Sequence, residues 1–240
     1  MSLEKLQTED IMPPARLNQW PTLGVSVVIF SLQAGRERRE LSVLLVQRMA
    51  EPFHGCWALP GGWVHYGEGL EQAARRHLRT KTGVRPTYLE QLYTFGQPDR
   101  DPREHRIAVA YYVLVRSDES AIITAPEREA RWFPVDTMPT PLAFDNDEIV
   151  KYALWRLRNK VSYAYIAFQL LPPTFTLTQL REVYEEILGT EIDPTNFRRK
   201  VEASGTIVPT GTRIEGGAHR PPKLYRCTLT PEQLFTGPTM

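Results

Sequence analysis

Residues 61–84 read GGWVHYGEGLEQAARRHLRTKTGV, and this stretch limits the fold more than any other. From Gly69 to Thr82 there is no proline, and Leu70, Ala73, Ala74, His77 and Leu78 recur at helical intervals. Gly83 stands where a left-handed C-terminal cap would, so the spacing predicts one helix ended by glycine. Short β-branched runs lie on either side. VSVVIFSL (25–32) and SVLLVQR (42–48) flank the charged turn QAGRERRE and read as neighbouring strands of a buried sheet. TYLEQLYTF (87–95), RIAVAYYVLV (106–115) and RWFPV (131–135) read as further strands, the last before the proline-marked turn MPTP. Strands around an intervening helix make an α/β unit.

A chain of 240 residues is comfortable for two units, and the pattern changes near residue 150. A helix is expected from Asp145 to about Asn159, with Ile149, Ala153 and Leu157 on one face. It links residues 1–150 to residues 151–240. In the second part YAYIAFQLL ends at Pro172-Pro173, and TLTQLREVYEEILG then places Leu180, Val183, Tyr184, Ile187 and Leu188 on one helical stripe. A third helix follows in DPTNFRRKVEASG, with Asp193 as N-cap, Pro194 at the first position and Gly205 after its end. TIVPTGTRIEGGAHRPPKLYRCTL then reads as two strands around a loop rich in Gly, Arg and Pro. Three helices and a hairpin are the layout of a small α+β winged helix-turn-helix.

Charge divides the chain at the same place. Residues 1–150 hold 17 Lys and Arg against 20 Asp and Glu, a balance of −3, and residues 151–240 hold 12 against 8, a balance of +4. Cys56 and Cys227 are too few for a disulfide framework and form no Cys-x-x-Cys pair. Acids and prolines occupy the first twenty residues, and no run reaches the roughly 18 apolar residues of a membrane span. The expectation is a soluble cytoplasmic protein, with no membrane partner. No Walker A loop, G-x-G-x-x-G, G-x-S-x-G or His-Glu-x-x-His motif is present.

The spacing of Gly62, Glu68, Arg76, Leu78, Gly83 and Val84 resembles the Nudix box, and WALPGGWV (57–64) resembles the loop before it. The resemblance implies an α/β Nudix fold, a mixed sheet with helices on its faces. An active box carries three glutamates at i, i+3 and i+4, whose oxygens collect Mg²⁺ on one helical face. Here those positions hold His77, Thr80 and Lys81. One imidazole, one hydroxyl and one ammonium do not replace three carboxylates for a hard cation. No catalytic residue and no metal ligand set is therefore expected, and no cofactor is required. A hydrolase that recruits metal through Glu68, Glu71 or acids outside the box, with a C-terminal dimerisation unit, is the competing reading.

A cavity shaped for a nucleotide diphosphate keeps its use if cations neutralise the phosphates. RDPR (100–103) resembles the segment of Nudix proteins that handle ADP-ribose-type compounds, which makes ADP-ribose the expected effector. The candidate ligand residues are Arg48, Trp57, Gly61, Gly62, Glu68, Arg76, Lys81, Tyr93, Phe95 and Arg103. Trp57, Tyr93 and Phe95 offer stacking surfaces for a base, although aromatics at strand ends also serve as core filler. Arg76 has two readings, a phosphate contact or a partner that pins Glu68 and the loop.

Phe197 and Val201 pack inward from the helix after Pro194, which turns Thr195, Asn196, Arg198, Arg199 and Lys200 outward. Asn suits adenine and Arg suits guanine, each by paired hydrogen bonds. Arg213, His219, Arg220 and Lys223 in the hairpin complete the expected DNA-binding set. Residues 193–226 hold 7 Lys and Arg against 3 Asp and Glu. NFRRKVEASG, IVPTG and GAHRPPKLYR resemble the C-terminal half of the Nudix-related transcriptional regulators of NAD metabolism. That resemblance implies a homodimeric repressor on double-stranded operator DNA, with a degenerate Nudix unit sensing ADP-ribose.

Overall fold

In the computed structural model, which describes residues 20–35, 38–86, 88–119, 129–213, 222–230 and 233–234, side-chain alternation sets the layers. In β1 (Thr22–Ala34), Val25, Val27 and Ile29 join one apolar cluster while Val28, Phe30 and Leu32 join another, and all six are at most 2% exposed. A strand buried on both faces needs cover on both. α1 (Leu70–Thr82) supplies one cover through Ala73, Ala74 and Leu78, and α2 (Asn146–Lys160) supplies the other through Ile149, Val150, Ala153 and Leu157.

The remaining strands are β2 (Arg39–Gln47), β3 (Trp57–Ala58), β4 (Gly61–Trp63), β5 (Glu90–Phe95), β6 (Arg106–Leu114) and β7 (Ala130–Pro134). Among the described residues seven strands share one sheet, in the order β3-β2-β1-β6-β5, with β4 on β1 and β7 on β2. β1 and β6 run parallel from Thr22↔Arg106 to Phe30↔Leu114, and the other pairs are antiparallel. The sheet is mixed, as expected. Two details differ from the sequence reading. Residues 57–64, read as a loop, contribute β3 and β4, because β1 is long enough to pair with β2 through its second half and with β4 through Gly24–Ser26. The strand expected at 87–95 begins at Glu90.

The C-terminal part holds a 3-10 helix Ile166–Leu170, α3 (Leu177–Leu188), α4 (Pro194–Ala203), β8 (Ile207–Arg213) and β9 (Lys223–Cys227). α3 starts on a capping box: Gln179 N–H donates to Thr176 Oγ1 at 3.1 Å and Thr176 N–H to Gln179 Oε1 at 2.8 Å. Phe175 bridges Tyr225 of β9, which ties the hairpin to the helices. This is the winged-helix layout.

The two parts are not separate beads. Phe30, Val43 and Leu45 of the sheet, Leu157 of α2, and Phe175, Leu180, Val183 and Ile187 belong to one continuous apolar cluster. Polar contacts reinforce it: Arg38 pairs with Glu186 at 3.0 Å, and Arg158 Nε donates to the Ile187 carbonyl at 2.9 Å. The boundary drawn at residue 150 falls inside α2.

Candidate ligand cavity and nucleic-acid face

β1, β4, α1 and the segment 100–106 surround a cavity of about 380 Å³. Two glycines make its floor possible. A Cβ on Gly61 would lie 2.2 Å from the Val25 carbonyl oxygen, and one on Gly62 would lie 2.5 Å from His77 Cε1. β4 can therefore lie against β1 and the His77 ring only without side chains at these positions. His77 Nε2 is 2.9 Å from the Trp63 carbonyl oxygen, and burial holds its pKa down at about 4. The imidazole is neutral at pH 7 and donates to that carbonyl. Lys81 Nζ donates to the Gly61 carbonyl beside it.

These residues do not fit a magnesium site. His77 and Lys81 are committed to carbonyls, and Thr80 Oγ1 donates back to Arg76 O at 2.9 Å. Glu68 accepts from Arg76 at 2.7 Å through each of its oxygens and from His65 N–H at 3.0 Å. The Arg76 hydrogen bonds hold its pKa at about 2. Glu71 pairs with Arg75 at 2.8 Å. Among the described residues no three His, Cys, Asp or Glu side chains gather where a metal could sit.

The cavity instead gathers cations. Arg48, Lys81, Arg100, Arg103 and Arg106 line it against one acid among the described lining residues, Asp101. Arg48 lies 4.7 Å over the Phe144 ring and donates to the carbonyls of Pro52 and Ala50 at 2.8 and 3.1 Å. Arg103 pairs with Asp101 at 2.7 Å and lies 5.7 Å from the same ring. Burial would raise the Asp101 pKa, but hydrogen bonds from Arg103 outweigh it and the net shift is downward. Arg106 lies 3.3 Å over the Trp63 ring, its pKa is lowered by burial, and its buried Nε has no hydrogen-bond partner among the described residues. Arg100 makes a bidentate pair with Asp145, at 2.8 and 2.5 Å. A concave, partly desolvated surface of this kind favours a compact polyanion. Phe144 and Phe53 hold left-handed backbone, φ +59 and +65, with rings 5.0 Å apart. Each such residue costs on the order of 1–3 kcal/mol, the kind of strain that clusters at ligand sites.

Of the ten predicted ligand residues, Arg48, Gly61, Gly62, Lys81 and Arg103 line the cavity. Glu68 and Arg76 stand outside the lining, paired with each other. Trp57, Tyr93 and Phe95, expected as stacking surfaces, also lie outside the lining. Trp57 meets Phe133 edge-on at 4.8 Å, while Tyr93 and Phe95 pack on Tyr152 of α2 at 5.1 and 6.1 Å. The aromatic faces of the cavity are Trp63 and Phe144, which sequence reasoning missed along with Arg106. Trp63, directly after Gly62, is the one that adjacency signalled.

On the C-terminal unit the Asp193 carboxylate caps α4, accepting from Asn196 N–H at 2.8 Å, and Pro194 opens the helix. Phe197 is 9% exposed and meets Tyr184 at 5.6 Å, and partly buried Val201 joins the same cluster. Thr195, Asn196, Arg198, Arg199 and Lys200 are all exposed. Arg199 donates to Asn196 Oδ1 at 3.0 Å, and Arg198 pairs with Glu202 at 3.1 Å. In the hairpin Arg213 is in register with the exposed Lys223, and Arg226 adds a further exposed cation. His219 and Arg220 lie outside the described residues. The structure thus displays five predicted α4 side chains on one short helix, with its apolar side turned to α3.

Comparisons with known proteins follow this division. The NUDIX domain family matches residues 21–153, and the NrtR DNA-binding winged helix domain matches residues 167–227. The chain is 36% identical over 213 residues to the ADPR responsive transcriptional repressor NtrR of Acinetobacter baylyi, covering 87% of this chain and 83% of that one. It is similar to Shewanella oneidensis NrtR solved with a 27mer DNA, with TM-score 0.74, 36% identity, and coverage of 86% and 93%. It is also similar to the NUDIX domain of that protein solved with ADP ribose, with TM-score 0.51, 38% identity, and coverage of 58% and 90%. Among the described residues no helix is long and apolar enough to cross a membrane. Box spacing, cation-lined cavity and winged helix agree with these matches, and the chain belongs to the Nudix family, in the branch that joins a NUDIX domain to an NrtR-type winged helix.

Proposed function

We propose that this protein is a ligand-responsive transcriptional repressor of NAD-metabolism genes. Residues 1–150 bind ADP-ribose or a related nucleotide diphosphate, and residues 151–240 bind operator DNA as a homodimer in the cytoplasm. The observation that carries this reading is the exchange of a carboxylate cage for a cavity of five cations, in a chain whose basic helix α4 faces solvent. The A. baylyi relative is by name a repressor responsive to ADPR, and the S. oneidensis relative has been solved with DNA and, as its NUDIX domain, with ADP ribose.

Within the cavity Arg48, Arg103, Arg106 and Lys81 neutralise the diphosphate, and the faces of Trp63 and Phe144 flank the nucleoside. With no carboxylate cage, the chain holds the diphosphate without cleaving it. On the other unit Asn196 and Arg199 address base edges in the major groove, and Arg198, Lys200 and Lys223 set the register on phosphates. A two-fold dimer places half-sites about one helical turn apart, roughly 34–36 Å. ADP-ribose weakens operator binding by changing the spacing of the two winged helices. By linkage a tenfold effect corresponds to about 1.4 kcal/mol and acts equally on ADP-ribose affinity.

Calorimetry with ADP-ribose, run beside an assay for its hydrolysis in Mg²⁺, tests the ligand half. Binding without turnover is expected. Turnover at ordinary enzyme rates, about 1–10³ s⁻¹, together with no salt-dependent DNA binding would establish the hydrolase instead.

A further inference from the structure

One wall of the cavity is also the start of α2. Asp145 occupies the N-cap position of that helix, yet its side chain makes no capping hydrogen bond. Both of its oxygens accept from Arg100, a cavity residue whose side chain is 5% exposed. The neighbouring first-turn side chains are committed elsewhere: Asn146 Oδ1 accepts from Leu59 N–H and Asp147 Oδ2 from Leu142 N–H, each at 2.8 Å. The residue before Asp145 is Phe144, left-handed and lying under Arg48 and Arg103. At the other end of α2, Lys160 pairs with Glu90 of β5 at 2.5 Å, and the Tyr112 hydroxyl donates to the same oxygen at 2.9 Å. In the same last turn of α2, Arg158 reaches the last turn of α3.

We propose that the Arg100–Asp145 pair is a latch between the cavity and the winged helix. A phosphate entering the cavity takes Arg100, and the released Asp145 carboxylate turns to cap the first turn of α2. The proposal rests on the cavity being a nucleotide-diphosphate site, and it names how occupancy leaves that site.

The chemistry allows either arrangement. A guanidinium offers the same fork to a carboxylate and to a phosphate, and aspartate is among the best N-cap residues. Every charged group keeps a partner in both states, so the difference between them is small enough for a ligand to tip. The strained backbone at Phe144 supplies the place where the chain turns, while the Lys160–Glu90 pair holds the far end as a pivot. Movement at the start of α2 then reaches α3 through Arg158 and the shared core.

The test uses the full chain, ADP-ribose, and an operator duplex. Asp145→Asn and Asp145→Ser can both cap α2, and neither can form the ion pair. Either variant should bind DNA, without ADP-ribose, as weakly as the ligand-saturated wild type. ADP-ribose affinity should rise several-fold, and the effect of ADP-ribose on DNA affinity should fall from about tenfold to less than twofold. In the wild type, hydrogen exchange at Asp147 and Glu148, the positions an N-cap side chain reaches, should slow when ADP-ribose binds, a readout that needs no variant. Undiminished coupling in a folded variant, or unchanged exchange in wild type that does bind ADP-ribose, would overturn the latch and leave the functional reading intact. A wild type that binds no ADP-ribose would remove the functional reading, and the latch with it.

Discussion

The cavity and helix α4 are both rich in Arg and Lys, but their cations live in different solvents. In the cavity Arg100 and Arg106 have side chains 5% and 12% exposed, and carboxylates, carbonyls or ring faces already hold most of the charge in place. On α4 the cations are exposed, and their contacts are short-range pairs on the same helix. Fixed, desolvated charges select the shape of an anion, whereas solvated charges on long side chains respond to charge density. One arrangement suits a single diphosphate and the other suits a duplex backbone.

Salt should separate the two most widely. If the DNA-bound protein neutralises 6–10 phosphates, DNA affinity falls by about 10³–10⁵ between 50 and 200 mM salt. ADP-ribose affinity, measured by calorimetry over the same range, should change by less than about tenfold, because buried pairs are screened less. Equal slopes would break the contrast.

The shared core limits how independent the regions are. Leu180 of α3 is fully buried in a cluster that reaches the sheet, so Leu180→Ala should cost about 2–5 kcal/mol. Four of the five tryptophans precede residue 150 and the fifth, Trp155, lies in α2, so fluorescence watches the sheet side and the linking helix while the substitution sits in α3. Tryptophan fluorescence and circular dichroism should report one coincident denaturant midpoint, lowered together. Two separated transitions would show that the units fold apart.

Exchanging single charges should reveal a crossed pattern. Arg199→Ala should weaken DNA binding by about 1–3 kcal/mol and leave ADP-ribose binding unchanged. Lys81→Glu places a carboxylate against Gly61 O, and should weaken ADP-ribose binding by about tenfold while unliganded DNA binding holds. Anisotropy and calorimetry on each variant read both arms. A Lys81 variant with unchanged ADP-ribose affinity would discard the role given to that cation.

The smallest effect concerns acid. His77 has a folded pKa of about 4 against 6.5 unfolded, because burial disfavours the imidazolium. The unfolded chain therefore takes the proton first. The contribution is complete above about pH 6.5 and is lost as pH falls toward 4, at no more than about 1.4 kcal/mol per pH unit. In His77→Asn, stability measured across that window should lack this component of the slope.

The local features of the fold were legible in the sequence. Periodicity and glycine chemistry located α1, the α4 cap and its outward residues, and the box with the loop before it singled out Gly61, Gly62 and Lys81, which line the cavity. What escaped depends on pairing far along the chain. Arg106 reaches the cavity because β1 and β6 run parallel with Thr22 opposite Arg106, and Trp63 meets it through β4 on β1. Tyr93 follows a register shift in β5, and its ring joins Tyr152 and Phe95 beside α2. A strand pattern does not announce such a shift. Glu68 and Arg76 match the box, yet their short loop-to-helix separation makes an ion pair that closes on itself.

The central claim is that a cavity without a metal cage reports its occupancy to a DNA-binding helix. Its most direct test is an anisotropy titration of the full chain on duplexes from upstream of NAD-metabolism genes, with and without saturating ADP-ribose. The account predicts salt-dependent binding that weakens about tenfold when ADP-ribose is present. DNA affinity that is unmoved by ADP-ribose, in a protein that demonstrably binds it, would contradict the account.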